Sequence, residues 1–501
     1  MNKRIILFLF SATVIALTAS CKKNSPVVVP IVEPKPVFTA TPDTLKFNGS
    51  GGNDTLTVNM NGTKWEAFSS QTWVGLSFLS SSKASDKLVV TAAANSTGSV
   101  RSATLSLIMD SKIPVLVQIR QDIVKAVYPD YSSPIPANGT GMSSSSKTLA
   151  TKMLAGWNLG NTMEAPGNET AWGNPKTTQR LIDSIKASGI NAIRIPCAWD
   201  SYITNATTCE ISSSWLARVK EVVGYCLKNE MYVILNIHWD GGWLENHPFY
   251  ASQDAVNAKQ KALWQQIAVN LRDFDEHLLF AGTNEVNSGA TPTTENFTVQ
   301  MSFNQTFVNA VRSTGGKNAS RNLVIQGYNT NIALAISNLA VPKDTIANRL
   351  MVEVHYYDPW EFCGLEADAS YATVKNLWGT PFAQFGTIPS WGEEDYVQSQ
   401  FQLMKTNFVD KGYPVILGEF GAVRRSALTG NTLQHHLDSR AYYLQYVAQH
   451  AKQYGLVPFI WDNGATGNNG MALFNRADGS LFDRQTLNAY ISGTTIGVYP
   501  Y

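Results

Sequence analysis

Two acidic side chains end apolar runs of this chain: Glu285 in LLFAGTNEV and Glu419 in YPVILGEFG. A carboxylate stranded in a packed interior is costly unless it is paired or protonated, so each needs a partner or a chemical task. Other polar or aromatic residues fall at the same place in similar runs: Asn161, Arg194, His238, Asn284, His355, Tyr357 and Trp461. Two carboxylates facing each other across one site meet the basic need of glycosidic bond cleavage. One arrives protonated and gives its proton to the leaving oxygen, while the other stays ionised and attacks the anomeric carbon. A separation near ~5 Å predicts retention of configuration.

The elements that must position these residues are eight short apolar runs alternating with helical patterns after residue 146: LAGWNLGN, NAIRIP, MYVILNIHW, LLFAGTNEV, NLVIQGY, LMVEVHYYDP, YPVILGEFG and LVPFIWDNG. Continuous Val/Ile/Leu runs suit parallel strands buried on both faces. Trp215, Leu216, Val219, Val222, Val223, Cys226 and Leu227 recur at helical spacing and predict a crossover helix. TQRLIDSIKASG and NFTVQMSFNQTFVNAVRSTGG behave similarly, each closing on a Gly stop. The pattern predicts a (β/α)8 TIM barrel. A doubly wound open sheet is the rival; one that bound nucleotides would carry a Gly-rich phosphate turn, and no GxGxxG appears. Clustering of polar residues at the C-terminal ends of the runs matches where barrel active sites sit. By alternation Glu353, His355 and Tyr357 share one face, as do Phe459 and Trp461. Asn284 and Glu285 are adjacent, so both enter one site only where the strand ends or bulges.

At 501 residues the chain exceeds one ordinary core, so two domains or a large barrel with extras are expected. A net charge of +1 and the absence of a Lys/Arg stripe argue against nucleic-acid binding. Residues 1–21 carry Lys3 and Arg4, an apolar run and LTASC, an export signal too short to span a membrane durably. LTASC resembles the lipobox of bacterial lipoproteins, with Cys21 as the acylated residue, although Thr18 stands where Leu is usual. A plainly cleaved signal peptide is the other reading. Residues 22–37 form a proline-spaced tether. Between 38 and 123, alternating segments such as TLTVNM and ATLSLIM with frequent turn signals predict a small immunoglobulin-like β-sandwich. TPDTLKFNGSGG, TWVGLS, RSATLSL and VQIRQD give it a resemblance to the BACON module. Trp65 and Trp73 are read as core, which makes the module a spacer; an exposed aromatic platform would instead support carbohydrate binding. Residues 124–146 form a linker or ordered bridging loop, and 147–501 the barrel. Cys197, Cys209, Cys226 and Cys363 lack disulfide or metal spacing and are read as small buried residues. His435, His436 and the run Glu393 to Asp395 are read as solvated surface.

RIP, NIHW, TNE, VHYY, GEFG and IWDNG, in this order, resemble the cellulases of glycoside hydrolase family 5, and GWNLGNTMEAPG resembles the opening of its β-1,4-glucan and xyloglucan subfamily. The resemblance covers the whole C-terminal part. It implies a retaining mechanism with Glu285 as general acid/base and Glu419 as nucleophile. Arg194 would favour the ionised nucleophile, or form an interior salt bridge to Glu353. Asn284 would bond the sugar 2-OH, and Tyr357 would donate to Glu419. His238 and His355 would contact the cleaved sugar, or be satisfied core residues. Trp461 resembles the sugar-stacking platform. Trp239 stands where many relatives carry a second His. Trp172, Trp199, Trp243, Trp360 and Trp391 line a glycan cleft or pack in the core.

The expectation is therefore an exported, lipid-anchored retaining endo-β-1,4-glucanase needing no metal or cofactor. Its partner would be cellulose, mixed-linkage glucan or xyloglucan. A β-mannanase and a non-catalytic glycan-binding lipoprotein are the alternatives.

Overall fold

The computed structural model describes residues 35–95, 97, 100–123 and 127–501. Cys21, the export signal and the tether up to residue 34 lie outside the described residues. Among the described residues, no helix is long and apolar enough to cross a membrane.

The N-terminal part is all-β, with one four-stranded and one five-stranded sheet. In the four-stranded sheet, Gly52–Met60 pairs antiparallel with Phe38–Thr41 and with Ser85–Ala92. Each long strand buries every second side chain, as in Arg101–Met109, where Ala103, Leu105, Leu107 and Met109 are inside. Strict alternation of this kind leaves one face of a sheet for water. Trp65 is fully buried against Phe78, with ring centroids 5.8 Å apart, and Trp73 is half-buried. Trp65 is core as expected and offers no open platform, whereas Trp73 is not fully in the core.

In the C-terminal part, eight parallel strands close into a barrel in chain order. They are Gly156–Asn158, Ala192–Ile195, Tyr232–Asn236, Leu278–Ala281, Leu323–Gln326, Leu350–Tyr356, Val415–Phe420 and Leu456–Ile460, the first pairing with the last. Each lies inside one of the eight apolar runs. The expected crossover helices form as Gln179–Ala187, Ser213–Lys228 and Thr294–Ser313. The first of these is followed by Gly189 at φ +96°, a left-handed backbone that glycine adopts without steric cost.

The barrel interior is filled from below. Ala192, Ile234, Leu279, Val324, Met351, Ile416, Val457 and Phe459 pack there with Leu149, Ala150 and Met153, from or just after the short helix Ser146–Lys152. A side chain at Gly156 would overlap the Phe459 ring, so glycine there lets the aromatic plug seat. Residues 127–145 are anchored to the barrel, not free. The Tyr131 N–H and O–H donate to Gln265 Oε1 (3.1 Å) and the Thr208 carbonyl (2.9 Å), and Ser144 binds Glu276 through both N–H and Oγ.

Candidate active site

Two residues above the apolar floor, the same strand faces turn polar. Asn158, Arg194, Asn236, Gln326 and Glu353 form a fully buried layer across five strands. Burying such groups is tolerable only where they satisfy one another. Arg194 does most of this. Its Nε lies 2.8 Å from Glu353 Oε1, and Nη1 donates to Glu419 Oε1 (2.8 Å) and Asn158 Oδ1 (3.0 Å). Nη2 donates to Asn284 Oδ1 (2.8 Å). Asn158 in turn donates to the carbonyl of Gly418 (2.8 Å), and Gln326 to Glu353 Oε2 (2.6 Å). Burial alone would lower the pKa of Arg194, but Glu353 and Glu419 more than offset it and hold the guanidinium charged. Arg194 thus pairs with Glu353 and with Glu419 at once.

Glu419 reaches the mouth through a break in register. Val354 pairs with Leu417, and the next pair is His355 with Glu419, so Gly418 is passed over. A β-carbon at 418 would overlap Glu353 Oε1, which Arg194, His355 and Gln326 hold in place. Glycine there makes room for one carboxylate while the bulge aims the next. On the fourth strand pairing ends at Ala281, and Thr283 binds Gln326 Oε1 through N–H (3.0 Å) and Oγ (3.1 Å). Released from strand alternation, Asn284 and Glu285 both face the site.

There, one oxygen each of Glu285 and Glu419 and a ring nitrogen of His355 lie within 4.8 Å of one another. His355 Nδ1 is 2.6 Å from Glu285 Oε1 and 3.7 Å from Glu419 Oε2, while Nε2 is 3.2 Å from Glu353 Oε1. Tyr357 O–H donates to Glu419 Oε2 (3.1 Å). The Glu285 side chain is 41% exposed and that of Glu419 only 8%. Burial pulls the pKa of His355 down, but three carboxylates, Glu419 foremost, raise it to about 9. Glu285 is pushed up by burial and pulled down more by His355 and Arg194, ending below the ordinary value. Glu419 stays above it, because burial and the charges of Glu285 and Glu353 outweigh His355 and Arg194. Arg194 and protonated His355 already give these carboxylates two positive charges, so the donor set does not fit a resident cation.

His238 accepts a hydrogen bond from Asn236 Nδ2 at 3.1 Å, and burial beside Arg194 and His355 holds it neutral. Its ring lies nearly parallel to Trp461, with centroids 6.2 Å apart. Trp461 follows the last strand, and Gly160 lets its indole approach: a β-carbon there would sit 2.8 Å from it. Asn161 is not brought to the carboxylates by any of its bonds. Its backbone has φ +56° and its N–H binds Glu164, which makes it a turn residue. The first strand's contribution is Asn158, which the sequence reading missed although it ends that strand in the inward register of Gly156. Trp239 is 41% exposed in the loop after the third strand. Trp172, Trp360 and Trp391 are exposed, Trp243 is half-buried, and Trp199 is core. His436 is no surface residue: it is fully buried, accepting the Arg425 N–H (3.0 Å), with Nδ1 2.8 Å from the Asn376 carbonyl. His435 is half-buried on Phe385, and burial lifts the half-buried Glu393 to about 7. The four described cysteines are free and buried. A cavity of 210 Å³ opens beside Glu285, His355 and Tyr357, walled further by Asn329, Asn331 and Tyr396.

Residues 158–467 match the family Cellulase (glycosyl hydrolase family 5). The chain is 37% identical to the xyloglucan-specific endo-beta-1,4-glucanase BoGH5A of Bacteroides ovatus, over 90% of this chain and 89% of that protein. It is 38% identical to endoglucanase A of Paenibacillus barcinonensis, over 69% and 89%. Among solved structures, a Bacteroides ovatus GH5 xyloglucanase in complex with a XXXG heptasaccharide superposes with a TM-score of 0.69 at 35% identity. That match covers 92% of this chain and 100% of the other. A GH5-4 broad specificity endoglucanase from Bacteroides salanitronis superposes at 0.65 and 36% identity, over 71% and 96%. With paired carboxylates at the mouth of a closed barrel and these relatives, the chain belongs to the cellulase family, glycosyl hydrolase family 5.

Proposed function

We propose that the protein is a retaining endo-β-1,4-glucanase whose substrate is xyloglucan. The observation that carries the mechanism is the approach of Glu285 and Glu419 oxygens to within 4.8 Å. Inverting enzymes hold their carboxyls about 6.5–9.5 Å apart to admit a water, and retaining ones about 5–5.5 Å. Glu419, fixed by Arg194 and Tyr357, attacks the anomeric carbon and forms a glycosyl ester. Glu285 protonates the leaving oxygen, then takes a proton from the water that cleaves the ester. In the resting site that proton sits on His355, 2.6 Å from Glu285. A sugar that covers Glu285 removes water from it, which favours the neutral acid and transfer from the imidazole. Asn284, held by Arg194, faces the 2-OH of the cleaved sugar, His238 lies beside it, and Trp461 stacks on the ring. Trp239, exposed in the loop after the third strand, would extend the same surface.

Xyloglucan is favoured over cellulose and mixed-linkage glucan by the names of the Bacteroides ovatus relative and structure. A polysaccharide panel read by product length tests this. We expect xyloglucan to be cut to short oligosaccharides, with each of Glu285→Gln and Glu419→Gln lowering turnover by orders of magnitude. Mannan cleavage with xyloglucan untouched overturns the substrate, and full activity of either variant removes that residue from the mechanism. The same reading makes Cys21 a lipid-anchor site that holds an exported enzyme in the cell envelope. The tether and the all-β part, an immunoglobulin-like BACON-type module, act as spacers for the catalytic domain 147–501. Buried Trp65 supports the spacer role.

A further inference from the structure

Glu245 lies in GGWLENHP, the loop after the third barrel strand. It is 2% exposed, and both carboxyl oxygens are buried without a hydrogen-bond partner. Its backbone carbonyl accepts the N–H of Asn287 at 2.8 Å, two residues beyond Glu285. Next to it, Leu244 packs with Val286, Val299, Phe303 and Tyr328. The Glu245 loop is thus the support on which the Glu285 loop rests.

A carboxylate whose one nearby donor is its own backbone N–H loses its hydration and gains little for it, so the seat selects the neutral acid. The charged groups nearby do not change this. Asp240, on the same loop, accepts the N–H groups of Trp199 and Asp200 through Oδ2 alone (both 2.5 Å), and burial lifts its carboxyl to about 7, so where it is charged it disfavours a second charge on Glu245. Lys259, from the helix Tyr250–Asn270, is paired with Asp200 and lies 4.5 Å over the Trp243 ring. His247 is bound to the Gly242 carbonyl, and on the helix Thr294–Ser313 Glu295 accepts the Tyr250 N–H while Arg312 is paired with Asp344. Burial, reinforced by Asp240 and Glu285, pushes the carboxyl of Glu245 up to about 8.

We propose that Glu245 is a positioning residue: a neutral acid wedged beneath the Glu285 loop, whose ionisation unseats that loop and shuts down cleavage on the alkaline side. The inference rests on Glu285 as the acid/base. Its test is the pH profile of kcat/KM on a soluble xyloglucan oligosaccharide for wild type and Glu245→Gln, a neutral isostere. We expect the ratio of variant to wild type to rise about tenfold between pH 7 and pH 9, as the wild type alone acquires the charge. A ratio independent of pH overturns the proposal. So does failure of both Glu245→Gln and Glu245→Met to fold, because the seat should accept a neutral side chain. Chemical unfolding gives a readout free of activity: wild type should lose stability relative to Glu245→Gln as pH rises from 5 to 8, and parallel curves overturn the idea. A wild type inactive on every glucan would sink the glucanase reading, while the unfolding comparison would still decide on Glu245.

Discussion

Arg194 touches Glu353, Glu419, Asn158 and Asn284, so one side chain both balances the charge of Glu419 and fixes the amide of Asn284 beside it. Replacing it by Met leaves Glu353 and Glu419 with His355 as their one cationic neighbour, a loss of about 3–5 kcal/mol in unfolding free energy; urea unfolding checks this. Tyr357→Phe removes one hydrogen bond to the charged form of Glu419, roughly 1.5–3 kcal/mol, and should lower kcat/KM about 10- to 100-fold. His355 has its pKa raised from 6.5 to about 9. Its ion pairs therefore stabilise the fold fully below 6.5, and that contribution fades as pH rises through about 9. Imidazole nitrogen NMR should show both ring nitrogens protonated at pH 7.5. At this scale the sequence showed charge well and amides poorly. Glu353, His355 and Tyr357 share a face by simple alternation, whereas Asn158 and Gln326 have no chemistry of their own and gain meaning only beside Arg194. His436 misled for a related reason: adjacent histidines look solvated, but a helix turns neighbours 100° apart and buries one.

The strands were legible because parallel strands buried on both faces leave continuous apolar runs, and because polar residues collect at one end of each. What periodicity could not show is the bulge. Val415–Phe420 reads as a regular strand, yet alternation fails at Gly418, because the side chain of Glu353 fills the space a residue there would need. Gly418→Ala is expected to cost about 1–3 kcal/mol in stability and to turn Glu419 away from its partner. Thermal unfolding and kcat measured together check it: a variant that loses stability but keeps full turnover would show that the bulge does not aim Glu419 for the reaction. Loop 283–288 was equally opaque, since its conformation depends on contacts with residues 245, 326 and 329, separated from it by about 38 residues or more.

At the scale of the molecule, the side chains brought together at the mouth come from residues 158–461. A protein beginning at residue 127 should therefore cleave a soluble oligosaccharide with kcat/KM within about twofold of the full chain; steady-state kinetics on both forms decides this. The helix Ser146–Lys152, with Met153 and Phe459, closes the lower end of the barrel. No polymer can thread through such a stoppered cup. A glucan must lie over the rim, and an endo-acting enzyme cuts it within its length, so a solution of it should thin long before new chain ends accumulate.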